Sequence, residues 1–167
     1  KLNLNDEDII INIQGDEPMF HPEMIDKLIE PLLNSKGIKA TVLGMEIINE
    51  KLWKDPDTVK IIHNSKNEVL FTSRAPLPYG EYFSLNLKAK RIFGLFAFKY
   101  KQLKEFSNFD ETFLEKVESC DSNRILDMKF VQTVVPYSYI DSFSVDKVED
   151  ISLVEKFLVN DKLWGKY

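Results

Sequence analysis

Apolar residues in this chain fall into short continuous runs and into stripes at helical spacing, divided by polar and proline-bearing stretches. The run Ile9-Ile10-Ile11 ends near Gln14 at the turn signal Gly15-Asp16, which reads as a buried strand in the middle of a sheet. Pro22 opens a helix on which Met24, Ile25, Leu28, Ile29, Leu32 and Leu33 recur at helical spacing. Pro31 removes one helical hydrogen bond, so a kink or an early end is expected before Gly37. Residues 38–45 read as a second strand, which completes a strand, helix, strand unit of the kind that builds parallel sheets.

Farther along, 59–62 and 69–72 read as a hairpin around the polar turn Asn64-Ser65-Lys66-Asn67. Prolines then hold 73–80 extended. The aromatic and branched run 92–98 is strand-like. Residues 112–126 predict one helix, with Phe113, Leu114, Val117 and Cys120 on its inner side and an acidic stripe of Glu115, Glu118 and Asp121 on another. A strand over 130–135 follows, and a last helix carries Val148, Ile151, Val154, Phe157 and Leu158. Trp53 packs a short helix, Met19, Met24 and Met45 fill core space, and Lys88, Lys90 and Arg91 form a solvated face. His63 reads as a turn residue. The expectation is one α/β domain over residues 1–167 with a mixed, mostly parallel sheet and flanking helices.

Bulk properties narrow the function. A net charge of -5 and a pI near 5.2 argue against a sequence-independent grip on nucleic acid, which needs clustered cations. One cysteine permits no internal disulfide, and two scattered histidines give no zinc-ligand spacing. No apolar run is long enough to span a membrane, and no signal peptide is visible, so a cytoplasmic location is expected. The chain opens on a polar approach to a strand that needs neighbours on both sides, which gives it the look of a piece.

Two junctions carry candidate chemistry. Asp16 stands beyond a strand end, where ligands gather in open α/β sheets, and reads either as a turn cap or as a Mg²⁺ ligand. Asp146 heads the last helix, with Glu149 three residues on, and reads as a capping box or as a second carboxylate for the same ion. Arg74, in the proline-stiffened loop, could fork onto a substrate carboxylate or phosphate, or serve a structural salt bridge.

Four blocks unite these pieces: Asn-Ile-Gln-Gly-Asp-Glu-Pro-Met at 12–19, Phe-Thr-Ser-Arg-Ala-Pro-Leu-Pro-Tyr at 71–79, Leu-Glu-Lys-Val-Glu at 114–118 and Val-Asp-Lys-Val-Glu-Asp at 145–150. In order and spacing they resemble the 3-deoxy-manno-octulosonate (Kdo) cytidylyltransferases, the CMP-Kdo synthetases. The resemblance covers essentially the whole chain but only the later two thirds or so of that family's enzymes. It implies a Rossmann-like nucleotide-diphospho-sugar transferase fold, incomplete at its N-terminus. It also implies a Mg²⁺-dependent reaction in which the anomeric hydroxyl of an acidic eight-carbon sugar attacks the α-phosphate of CTP, for lipopolysaccharide precursor synthesis, in a homodimer. By the same resemblance Asp16 and Asp146 are the catalytic, metal-binding aspartates, while Gln14, Arg74, Asp121 and Ser122 bind the sugar.

The chain also departs from that pattern. Ile92 and Phe96 stand where the family usually has histidine and tyrosine, Asp121-Ser122 where it has Glu-Gln, and Ser144, Lys147 and Val148 alter the last motif. Losing polar handles in a sugar pocket changes which acceptor is preferred. The family's glycine-bearing, phosphate-cradling loop has no counterpart among these residues, which predicts no turnover of CTP by them alone. A modified ulosonate as acceptor, or a non-catalytic sugar- or protein-binding module, are the alternative expectations.

Overall fold

The computed structural model describes residues 3–142, 144–145, 147–161 and 163–166. Its centre is the ten-residue strand Lys90–Lys99, which the 92–98 run predicts; numbered in chain order it is β5, after β1 (Ile9–Ile13), β2 (Ala40–Glu46), β3 (Lys60–His63) and β4 (Val69–Ser73). With β6 (Gln132–Tyr137) these form a six-stranded sheet in the order β4-β3-β5-β2-β6. β2 pairs along one edge of β5. On its other edge β1 covers Leu95 to Lys99 and β3 covers Lys90 and Arg91, leaving Gly94 in the gap between them.

Period-two alternation along β5 explains the layers. Phe93, Leu95 and Ala97 face α1 (Pro22–Asn34), whose Met24, Leu28 and Leu32 are fully buried against them with Leu43 and Met45 of β2. Phe96 and Phe98 face the other way, onto Ala40, Val42, Val134 and Ile125. Helices α3 (Tyr100–Ser107), α4 (Phe113–Glu118) and α5 (Ser122–Asp127) lie in the chain between β5 and β6, and α2 (Glu50–Lys54) buries Trp53, whose indole N–H donates to the Leu77 carbonyl (3.1 Å). The last helix is α6 (Val148–Leu158).

The mixed sheet, helices α1 and α2 and the hairpin match the sequence reading. Several details correct it. Among the described residues only β2 and β6 pair in parallel, and every other named strand pairing is antiparallel, because β5 inserts between β1 and β2 and opposes both. β1 therefore gains one partner strand rather than two, and its residues are half-buried to exposed rather than buried on both faces. Helix α1 ends at Asn34, before Gly37 as expected: Pro31 lies in its last turn, so the missing hydrogen bond comes where the helix is about to end anyway.

A further correction concerns 112–126, which is two helices. Ser119 takes a left-handed conformation (φ 49°) and ends α4. Phe113 and Val117 face solvent, while Glu115 is buried and accepts from Arg124 Nε (2.8 Å) and from Arg124 Nη2. An arginine on the next helix outweighs the apolar stripe, since a buried carboxylate requires a bonded cation. Arg91, too, is not simply solvated: it is half-buried, 5.2 Å from the Phe93 ring centroid. The start of α6 differs as well, with Lys147 as the N-cap and its amide donating to Asp150 Oδ2 (2.8 Å), in place of the expected box with Glu149. No helix among the described residues is long and apolar enough to cross a membrane.

Candidate active site

The gap on the edge of β5 is where the turn after β1 docks. Gln14 N donates to the Gly94 carbonyl (2.9 Å), and Gly94 N donates to Glu17 Oε1 (3.2 Å). A Cβ on Gly94 would lie 2.5 Å from Gln14 Oε1 and 2.8 Å from Glu17 Cγ, so only glycine lets this turn seat. Gly94→Ala is expected to destabilise the fold by about 1–3 kcal/mol through overpacking and to displace Gln14. Urea unfolding measures the first effect; a variant as stable as the parent would refute the close fit.

The adjacent carboxylates of the turn face different ways. Glu17 is buried, takes a second hydrogen bond from Ser144 Oγ (2.9 Å), and its burial pushes the carboxyl pKa up against the opposing charge of Arg91. Asp16 is half-buried and opens on a cleft of about 550 Å³. Gln14, Arg74, Ile92, Phe96, Glu115 and Asp121 also line that cleft. Four of the residues singled out from sequence, Gln14, Asp16, Arg74 and Asp121, thus converge there from β1, its turn, the proline loop and the α4–α5 joint.

Ser122 does not join them. It is buried, facing a small recess behind Phe96 and Asp121, and its hydroxyl has no hydrogen-bond partner among the described residues. The joint that puts Asp121 on the cleft turns the next residue inward. Asp146 lies outside the described residues; of its near neighbours, Val145 N donates to the Asp16 carbonyl (2.8 Å).

Arg74 is bound more tightly than a free substrate fork would be. Its Nε donates to the Glu118 carbonyl (3.0 Å), Nη1 to the Pro56 carbonyl (2.9 Å) and Nη2 to the Ser119 carbonyl (3.1 Å). One N–H on each terminal nitrogen is left for a ligand. Asp121 is exposed to the cleft; desolvation by the protein packed around its carboxyl, with the negative charge of Glu115, raises its pKa above the ordinary value. Cys120, beside it, is a buried thiol 3.2 Å from Thr72 Oγ1, and burial pushes its pKa up, which makes it a poor nucleophile.

The Asp16 carboxylate could serve as one ligand to a cation on the cleft. Among the described residues no group of three or more His, Cys, Asp or Glu could hold a metal, and no hydrogen bond or ion pair occupies the Asp16 carboxylate. Mg²⁺ characteristically takes one or two carboxylates and completes its shell with water and substrate phosphate.

The sequence profile of the cytidylyltransferase family matches residues 1–133. The chain belongs to the cytidylyltransferase family. Among its relatives, a 3-deoxy-manno-octulosonate cytidylyltransferase of Desulfatibacillum aliphaticivorans is 35% identical over 158 residues, 94% of this chain and 64% of that protein. The enzyme of the same name from Vesicomyosocius okutanii is 33% identical, over 95% of this chain and 65% of the relative. The fold matches a CMP:2-keto-3-deoxy-manno-octonic acid synthetase solved with CTP, at a TM-score of 0.82 and 24% identity, over 92% of this chain and 62% of that one. The cytidylyltransferase chain therefore spans under two thirds of the length of these relatives.

Sequence reasoning missed Glu17, Lys60, and the Glu115–Arg124 pair. Lys60 had a signal: a lysine between Val59 and Ile61 in a short apolar strand. Glu17 had none beyond its place in the turn motif.

Proposed function

We propose that this chain is the sugar-binding and catalytic portion of an enzyme that transfers CMP from CTP to the anomeric hydroxyl of Kdo or a related ulosonate, releasing pyrophosphate. The convergence of Gln14, Asp16, Arg74 and Asp121 on one cleft, in a chain of the cytidylyltransferase family, carries this reading. Gln14 and Asp121 would hold sugar hydroxyls, and the two remaining Arg74 N–H groups would meet the sugar carboxylate. Asp16 and Asp146 would hold Mg²⁺; the bond from Val145 N to the Asp16 carbonyl supports this by tying the segment before Asp146 to the metal turn. When bound, the ion supplies neutralisation of charge growing on the α-phosphate. The protein's own part is positioning, and since the sugar hydroxyl is the nucleophile no side chain need attack.

The same reading places the protein in lipopolysaccharide precursor synthesis in the cytoplasm, as a homodimer. Exposed Tyr79, Tyr82 and Leu85, after the proline loop, supply apolar surface for pairing. These 167 residues alone are expected to bind Kdo without releasing pyrophosphate. A hybrid preceded by the Desulfatibacillum relative's segment upstream of the region it shares with this chain is expected to release pyrophosphate from CTP, Mg²⁺ and a sugar acid. A folded hybrid inert with every ulosonate offered would sink the proposal. Ile92, Phe96 and Val59 make the sheet side of the cleft apolar, which favours a modified ulosonate over Kdo itself as the preferred acceptor.

A further inference from the structure

Strand β3 carries a charge where its pattern calls for an apolar residue. Lys60 is 0% exposed, and its Nζ donates to the main-chain carbonyls of Asp55 (2.7 Å), Thr58 (2.5 Å) and Arg74 (2.8 Å). A buried ammonium is tolerable when all three of its protons are bonded, and here main chain takes every one. Burial lowers its pKa to about 8, with Arg74 adding repulsion while Asp55 and Glu118 oppose the shift, so the cation persists at neutral pH.

Lys60 and Arg74 hold opposite ends of one knot. Lys60 takes the Arg74 carbonyl, and the Arg74 guanidinium takes the carbonyls of Pro56, Glu118 and Ser119. Glu118 reciprocates, its Oε2 accepting from Ser73 Oγ (2.9 Å) and Arg74 N (3.0 Å). Three segments are thereby joined: 55–58, 73–74 and 118–119. The last of these turns α4 into α5 at Ser119 and leads directly to Asp121 on the cleft wall.

We propose that Lys60 is a positioning residue for the cleft: by fixing the main chain of 55–58 and of Arg74, it aims the Arg74 guanidinium at the α4–α5 joint and sets Asp121 toward the acceptor. The acceptor part rests on the function proposed above; the hold on Arg74 does not.

Lys60→Met keeps an unbranched stem reaching as far as the lysine Cε and removes the ammonium with its three donors. The Arg74 Nε–H gives its own ¹H–¹⁵N resonance, whose exchange with water is slowed by its bond to the Glu118 carbonyl. In Lys60→Met that exchange is expected to quicken at least tenfold, and the Kd for Kdo, measured calorimetrically, to rise at least tenfold. Leu32→Ala, a core variant on the buried face of α1, is expected to lower the unfolding midpoint while leaving both readouts unchanged. Unaltered Arg74 exchange in folded Lys60→Met overturns the proposal, and so does a freed Arg74 with unaltered Kdo affinity. If the unsubstituted chain binds no Kdo, Kdo falls as the acceptor, and Arg74 exchange alone decides the role of Lys60. Should Lys60→Met not fold, Lys60→Gln, of the same reach as methionine but polar and neutral, is read the same way, and full Arg74 protection there overturns the proposal.

Discussion

Asp16→Ala in the hybrid enzyme is expected to lower kcat for pyrophosphate release by about 10²- to 10³-fold, because it deletes a ligand to the ion that offsets charge in the transition state. Stability should change by only about 0.5 kcal/mol or less, since Asp16 is half-exposed and its carboxylate bonds to no described residue. That combination separates it from Glu17, the neighbouring carboxyl, which is buried and bonded to Gly94 N and Ser144 Oγ. Steady-state kinetics with chemical denaturation on the same samples makes the comparison. A loss in kcat smaller than tenfold would remove Asp16 from the metal site.

Arg124→Met should produce the largest loss of stability, about 3 kcal/mol, because it leaves the buried Glu115 carboxylate without its cation. It also removes guanidinium hydrogen bonds to the Phe106 and Phe109 carbonyls and the contact over the Phe106 ring, 4.4 Å from its centroid. Urea unfolding measures the loss, and adding Glu115→Gln should restore part of it. Acid provides a second check. Hydrogen bonding from Arg124 holds the Glu115 pKa below its ordinary 4.5. A carboxylate depressed on folding stabilises the native state above its unfolded pKa, and that stabilisation is lost as pH falls below about 4.5 toward the folded value. The parent should therefore lose stability more steeply than Arg124→Met across that acid range; parallel curves would show that the pair contributes nothing.

The sequence was most legible where one periodicity had one physical cause. The α1 stripe buries Met24, Leu28 and Leu32, and the hairpin and the long apolar run become β3, β4 and β5, because burial of these side chains dominates their local choice. Legibility failed where a distant partner reversed the local signal. Arg124 pulls Glu115 inward and leaves Phe113 and Val117 in solvent, and no glycine marks the left-handed Ser119 that divides the helix. Insertion of β5 between β1 and β2 is a long-range pairing that a strand, helix, strand pattern does not specify. At the site, Gln14, Asp16, Arg74 and Asp121 could be found because motif spacing carried them, whereas the inward turn of Ser122 and the carbonyl cage of Lys60 depend on loop geometry.

The outer margin of β4 is closed in an unusual manner. The Asn123 side-chain amide, fully buried, accepts from Thr72 N (3.1 Å) through Oδ1 and donates to the Thr72 carbonyl (3.0 Å) through Nδ2, which are the two bonds a neighbouring strand would make. At the other end Asn67 accepts from Val134 N (2.7 Å). An incoming polypeptide finds no vacant ladder positions at either place, so fibril-like growth by strand addition is blocked there without a proline or an exposed charge. Self-association of this protein is thereby channelled away from that margin of the sheet.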